Sequence, residues 1–115
     1  MSVPFDQMDG NIWFNGEFVD WKDAKVHVLS HGLHYASAVF EGERAYGGEI
    51  FKLREHTERL IESGRILGFT VPYSADEIDA ACNELLQRQG FSDAYVRPIA
   101  WRGSESMGVA AQKNR

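Results

Sequence analysis

The sequence has little cysteine and little proline, carries no surplus of positive charge and contains no long apolar run. With one cysteine, Cys82, an intramolecular disulfide and a cysteine-based metal cluster are both excluded for these residues. Cys82 falls on the apolar stripe of a predicted helix, which points to a core role over a reactive one. The net charge is −5 and both signs are dispersed, so there is no basic stripe for phosphate contacts and a nucleic-acid partner is not expected. No apolar run approaches the roughly 20 residues of a membrane span, and the N-terminus has no basic and apolar signal segment. The expectation is a cytoplasmic protein with no membrane partner.

What is present is the balance of an ordinary domain. Hydrophobic residues make up 43% and charged residues 25% of the 115 positions, enough apolar material to bury a core and too much for general disorder. Asn11–Phe14, Asn15-Gly16 and Glu17–Asp20 read as a β-hairpin, since Asn-Gly supplies the positive φ angles of a two-residue type I′ turn. Trp21 to Ala24 reads as a short turn and Val26 to Leu29 as extended. Ser30-His31-Gly32-Leu33-His34-Tyr35, polar and aromatic with a glycine inside, reads as a surface loop. Val39 to Tyr46 is predicted as a strand, Gly47-Gly48 as a turn and Glu49 to Leu53 as the returning strand.

From Arg54 the period becomes helical. Leu53, Leu60, Ile61, Gly64 and Leu67 share one side, and Glu55, Glu58, Glu62 and Arg65 lie mostly on the other. The helix should end near Gly68, and Pro72 blocks continuation. Ser74-Ala75-Asp76-Glu77 is a capping-box pattern opening a second helix with Ile78, Cys82, Leu85 and Leu86 as its buried stripe and Gly90 at its stop. Asp93 to Trp101 is predicted as a strand whose internal Pro98 marks an edge position or a bulge. Gly103 to Ser106 and Ala110 to Arg115 read as loop. Hairpins with segregated helices give an α+β fold with a mostly antiparallel sheet and two helices. No strand–glycine loop–helix unit for a nucleotide appears.

Residues two apart on a strand point to one face, so Phe40, Gly42 and Arg44 share a side and Glu41 and Glu43 the other. An aromatic ring, a bare backbone position and a cation together make a floor for a small molecule, although a half-buried strand with a solvated arginine has the same spacing. Tyr95 and Arg97 repeat the pattern. A phenol beside a guanidinium suits a carboxylate, and a surface pair is the plainer alternative. Arg59 has Glu55 four residues before it and Glu62 three after, which fits helical ion pairs as well as an anion contact. His27, His31 and His34 cluster without an acidic second ligand, and His56 is distant, so no metal site is expected. Glu41 and Glu43 have the residue types of a glycosidase acid–base pair, with nothing else in support.

At Ser30–Tyr35 and Val39-Phe40-Glu41-Gly42-Glu43-Arg44 the sequence resembles the branched-chain amino acid aminotransferases, fold-type IV pyridoxal-phosphate enzymes. The resemblance covers nearly the whole chain, including Ile12-Trp13-Phe14-Asn15-Gly16-Glu17, Asp23–Val28, Arg54-Glu55-His56 with Arg59-Leu60, and Ala94-Tyr95-Val96-Arg97-Pro98. The block Phe40–Arg44 favours this group, with the related D-amino-acid aminotransferases and aminodeoxychorismate lyases of the same fold type as the alternative. The resemblance implies pyridoxal 5'-phosphate as cofactor, a homodimer, and transfer of an amino group between leucine, isoleucine or valine and 2-oxoglutarate. It implies that Arg59 binds the cofactor phosphate and that Tyr95 holds the substrate α-carboxylate. It further implies that Arg97 receives the distal carboxylate of glutamate, Phe40 walls the side-chain pocket, Gly42 and Arg44 lie below the substrate, and Tyr35 reaches the neighbouring subunit's site.

The resemblance has one gap. The lysine that joins the cofactor lies in the later domain of such enzymes, and none of Lys22, Lys25, Lys52 and Lys113 matches it. The expectation is that residues 1–115 are the N-terminal domain of a longer protein, inactive alone, with the lysine beyond Arg115. A free-standing domain that binds a small anion or regulates a partner is the alternative from another class.

Overall fold

The computed structural model describes residues 3–104, and the loops expected at 105–106 and 110–115 lie outside them. Strands β1 (Asn11–Phe14) and β2 (Glu17–Asp20) form the expected hairpin. Asn15 and Gly16 take φ angles of 51° and 86°, the left-handed pair a type I′ turn needs. The Trp21–Asp23 segment is a 3-10 turn, and Val26 to Leu29 forms no strand.

The predicted loop at Ser30–Tyr35 is instead a short helix, α1 (His31–Tyr35), closed by Ala36 in the left-handed region. Gly32 reads as a helix breaker in the sequence, but its role is close approach: a Cβ there would lie 3.1 Å from Trp101 Cβ. Two bonds from the other end of the described residues anchor the helix, with His31 N donating to Gly103 O at 2.8 Å and Gly32 N to Arg102 O at 3.1 Å.

The strand expected over Val39–Tyr46 is two strands, β3 (Ala38–Phe40) and β4 (Glu43–Tyr46). The strand expected over Asp93–Trp101 is likewise divided, into β6 (Ala94–Val96) and β7 (Ile99–Trp101). Both breaks occur at the same level. β3 pairs antiparallel with β7, and β4 pairs antiparallel with β6, with Arg44 opposite Tyr95. At the junction Glu41 N donates to Pro98 O at 3.0 Å. Pro98 has no N–H for a ladder, so the pairing is interrupted where it sits. The returning strand β5 spans only Glu49–Ile50, giving the order β5-β4-β6, because Leu53 already begins the helix.

Helices α2 (Leu53–Leu67) and α3 (Ala75–Gln89) fall where the periodicity puts them. Gly68 and Gly90 end them in the left-handed region, and the capping box at Ser74 is complete: Glu77 N donates to Ser74 Oγ and Ser74 N to Glu77 Oε1. Ala45 and Ile50 of the sheet meet Ile78, Cys82 and Leu86 of α3 in the core, with Leu53, Ile61, Val71, Tyr73, Ala94 and Val96 packed around them. Each large aliphatic side chain so buried contributes about 1.5–3 kcal/mol. Leu67, expected on the buried side, is exposed. The architecture is α+β, with antiparallel sheets. Among the described residues no helix is long and apolar enough to cross a membrane.

Candidate active site

The stretch from Phe40 to Tyr46 alternates as a strand should. Glu41, Glu43 and Ala45 are buried, and Phe40, Gly42, Arg44 and Tyr46 are exposed. The exposed face continues onto the neighbouring segment, where Tyr95, Arg97 and Ile99 are exposed in turn. The Arg97 guanidinium lies 3.9 Å from the centre of the Phe40 ring and 6.0 Å from that of Tyr95. A cation over an aromatic face is held by the ring's quadrupole and keeps its N–H edge available. Gly42 completes the floor: a Cβ there would fall 2.6 Å from the Tyr95 hydroxyl, so a side chain at this position would push the phenol out of its place. Phe40, Gly42, Arg44, Tyr95 and Arg97, predicted from two separate stretches of sequence, thus meet on one open face.

Arg59 and Tyr35 stand outside this group. Tyr35 is exposed on α1, with its ring against His31 at 4.5 Å and His34 at 6.5 Å. Arg59 lies across the strand, joined to it by Glu41. Its Nε donates to Glu41 Oε2 at 2.8 Å and its Nη2 to Oε1 at 2.7 Å. The ion pairs expected within the helix do not form at Arg59: Glu62 binds Arg65, and Glu55 lies 3.5 Å from Lys52. The strand carboxylate offers Arg59 a two-point contact that its helical neighbours do not match.

His56 Nδ1 lies 2.6 Å from Glu41 Oε1. The Arg59 hydrogen bonds are the chief reason the Glu41 carboxyl is held below its ordinary range despite burial, with His56 adding to the effect. Sequence reasoning missed both His56 and the role of Glu41. The available signal is the spacing of His56 and Arg59, three apart on one helix face. The fold does not make a glycosidase pair of Glu41 and Glu43, since Glu41 is committed to Arg59 and Glu43 is sealed in the core. Burial pushes the Glu43 carboxyl up to about 7, and the nearby Glu41 and Asp79 charges add to the rise while His56 opposes it. Burial also lifts Cys82 to about 12, as suits a core thiol.

The clustered histidines are engaged locally. His27 Nδ1 accepts from Leu29 N at 3.0 Å, His31 Nδ1 is 2.6 Å from Ser37 Oγ, and His34 Nε2 is 2.7 Å from Val28 O. A cavity of about 700 Å³ opens between the β1–β2 hairpin, α3 and the β6–β7 segment. It reaches Tyr95 and Arg97 but not Phe40, Gly42, Arg44 or Arg59, so the polar chemistry lies on the open face, not inside that cavity.

The donor set suits an anionic ligand. Arg59 is 68% exposed in its side chain, and its pair with Glu41 uses two of its five N–H groups, leaving three for another acceptor. Those N–H groups are free to meet an anion, and Tyr95 and Arg97 place a phenol and a guanidinium side by side over Gly42, residue types that suit a carboxylate. Residues 38–115 match the family model for amino-transferase class IV. The chain is 49% identical over 107 residues to the probable branched-chain-amino-acid aminotransferase of Rickettsia felis, covering 93% of the chain and 37% of that protein. It is 48% identical to the branched-chain-amino-acid aminotransferase of Pseudomonas aeruginosa, covering 90% and 35%. Among solved structures, it resembles the branched-chain aminotransferase of the thermophilic archaeon Thermoproteus uzoniensis with norvaline, at TM-score 0.86 and 38% identity over 93% of this chain and 38% of that one. The chain therefore spans a little over a third of the length of these proteins.

Proposed function

The chain belongs to the class IV amino-transferases, and on that premise we propose that it is the N-terminal domain of a branched-chain-amino-acid aminotransferase using pyridoxal 5'-phosphate. The whole protein would exchange the amino group of leucine, isoleucine or valine with 2-oxoglutarate, as a homodimer in the cytoplasm. The cofactor-bearing lysine would lie beyond Arg115. The names of the relatives favour this substrate class over D-amino acids or aminodeoxychorismate. The observation that carries the reading is the meeting of Phe40, Gly42, Tyr95 and Arg97 on one face.

The bound cofactor would supply the electron sink that lets the substrate α-hydrogen leave as a proton. This chain's residues would do the holding. Arg59 binds the phosphate through its remaining N–H groups. The Tyr95 hydroxyl, admitted beside Gly42, donates to the α-carboxylate. The pocket must take an apolar side chain in one half-reaction and a carboxylate in the other. Phe40 provides the apolar wall, and Arg97, stacked on that wall, provides the charge at its edge. Arg44 lies below the substrate, and Tyr35 reaches toward the partner subunit's site.

The test is to reduce the full-length protein with borohydride in the presence of pyridoxal phosphate and measure its intact mass. One added cofactor at a unique lysine outside residues 1–115 is the expected result. A protein of these 115 residues with no specific adduct would overturn the reading in favour of a small-anion-binding or regulatory domain.

A further inference from the structure

An exposed arginine on a helix ordinarily samples many rotamers, and fixing it costs side-chain entropy. Arg59 is exposed, yet its guanidinium is gripped edge-on by a carboxylate whose own side chain is only 4% exposed. That carboxylate is in turn fixed from two sides. His56, three residues before Arg59 on the same helix face, lies 2.6 Å from Glu41 Oε1. The Glu41 backbone is tied at the junction of the divided strands through its N–H to Pro98 O, 3.0 Å away. An ionised carboxylate only accepts hydrogen bonds, so His56 donates from Nδ1 in this arrangement.

We propose that Glu41 is the positioning residue for Arg59: it locks the guanidinium so that the unused N–H groups stand ready for the cofactor phosphate. The inference rests on the reading of Arg59 as the phosphate contact given above. The pairing leaves the cation intact and removes its rotational freedom before the ligand arrives, so less is lost on binding. The same pairing carries a counter-effect, because a carboxylate next to the guanidinium repels a phosphate. Positioning and repulsion predict opposite signs when Glu41 is removed.

The experiment measures dissociation constants of the full-length protein for pyridoxal 5'-phosphate and for pyridoxal, which lacks the phosphate. The variants are Glu41→Ala, Glu41→Gln and Arg59→Ala, with circular dichroism as the check on folding. Glu41→Ala should weaken pyridoxal 5'-phosphate about tenfold and leave pyridoxal within about twofold. Glu41→Gln keeps one acceptor for the guanidinium and should fall between Glu41→Ala and the parent, which also serves if Glu41→Ala fails to fold. Equal losses for both ligands would make Glu41 merely structural and overturn the proposal. Tighter phosphate-ligand binding in either Glu41 variant would show that repulsion dominates and would overturn it too. Should Arg59→Ala leave the preference for the phosphorylated ligand intact, the phosphate reading itself fails and takes this one with it. A loss in Arg59→Ala with none in the Glu41 variants sinks only the positioning role.

Discussion

The two faces of Phe40–Tyr46 invert the usual logic of a half-buried strand, in which apolar residues point in and polar ones out. Here the inner face carries Glu41 and Glu43 ahead of Ala45, and the outer face carries Phe40, Gly42 and Tyr46 beside Arg44. The inner face answers to the helices: Glu41 to Arg59 and His56 of α2, Glu43 to the core beneath α2 and α3. The outer face meets Tyr95 and Arg97 and is otherwise open. Changes on the inner face should therefore be read in stability, with those at Glu41 read also in affinity for the phosphate-bearing cofactor through Arg59, and changes on the outer face in turnover. The two glutamates also differ from each other. Glu41 has a two-point cation partner, whereas neither carboxyl oxygen of Glu43 has a hydrogen-bond partner among the described residues.

The sharpest way to test that difference is pH. The groups facing Glu43 are His56, Glu41, Asp79 and the Cys82 thiol. Its carboxyl titrates near 7 in the fold against 4.5 for the ordinary group, so the native state holds a proton that the unfolded chain releases. Its contribution is fully present below 4.5 and lost as pH rises through about 7. Over the whole window this amounts to about 3 kcal/mol. Glu41 has the opposite sign, since its lowered value gives stability that is present above the ordinary range and lost on acidification. Urea midpoints at about pH 5 and about pH 8.5 should show most of the Glu43 contribution disappearing in the parent protein and absent from Glu43→Gln. Identical pH dependence in the two would mean that the buried carboxyl is not neutral in the fold.

A smaller effect is expected one layer away. Thr57 is fully buried on α2, and its hydroxyl donates to Asp79 Oδ1 of α3 at 2.6 Å. Asp79 is also bound by Arg54 Nε at 3.0 Å. Thr57→Val preserves shape and removes the donor, so Asp79 keeps only its arginine. The cost should be about 2 kcal/mol, the scale of a hydrogen bond to a charged group, read as a shift in the thermal midpoint. A shift no larger than that of a surface substitution would show that Arg54 alone satisfies Asp79.

Much of this is legible in the sequence, for reasons that differ by element. The hairpin at Asn15-Gly16, the capping box at Ser74 and the two glycine stops are local signals set by backbone sterics and short hydrogen bonds, and the structure has them in place. The face shared by Phe40, Gly42 and Arg44 follows from the period of a strand and survives the break after Phe40. What stays hidden depends on contacts far apart in the chain. α1 is anchored by Arg102 and Gly103 from the other end of the described residues, so its own polar composition could not announce a helix. The strand breaks at Glu41-Gly42 and Arg97-Pro98 explain each other only once the segments are paired. The Glu41–Arg59 contact joins the break between β3 and β4 to a helix residue 18 positions away, and the acidic neighbours of Arg59 within the helix, closer in sequence, draw attention away from it.

The outer face gives the smallest effect on stability and the clearest one on chemistry. Arg97 is exposed, and its ring contacts with Phe40 and Tyr95 are at a solvent-facing edge, where truncation should change stability by no more than about 0.5 kcal/mol. If it is the charge that receives the distal carboxylate, Arg97→Ala in the full-length protein should slow the glutamate half-reaction far more than the leucine half-reaction. The apolar wall at Phe40 remains for leucine, while glutamate loses its only proposed cation at that edge. Single-turnover rates for the two amino acids measure the split directly. Equal losses in both would mean that Arg97 supports the pocket as a whole, through its stacking on Phe40, and the division between an apolar wall and a charged edge would have to be abandoned.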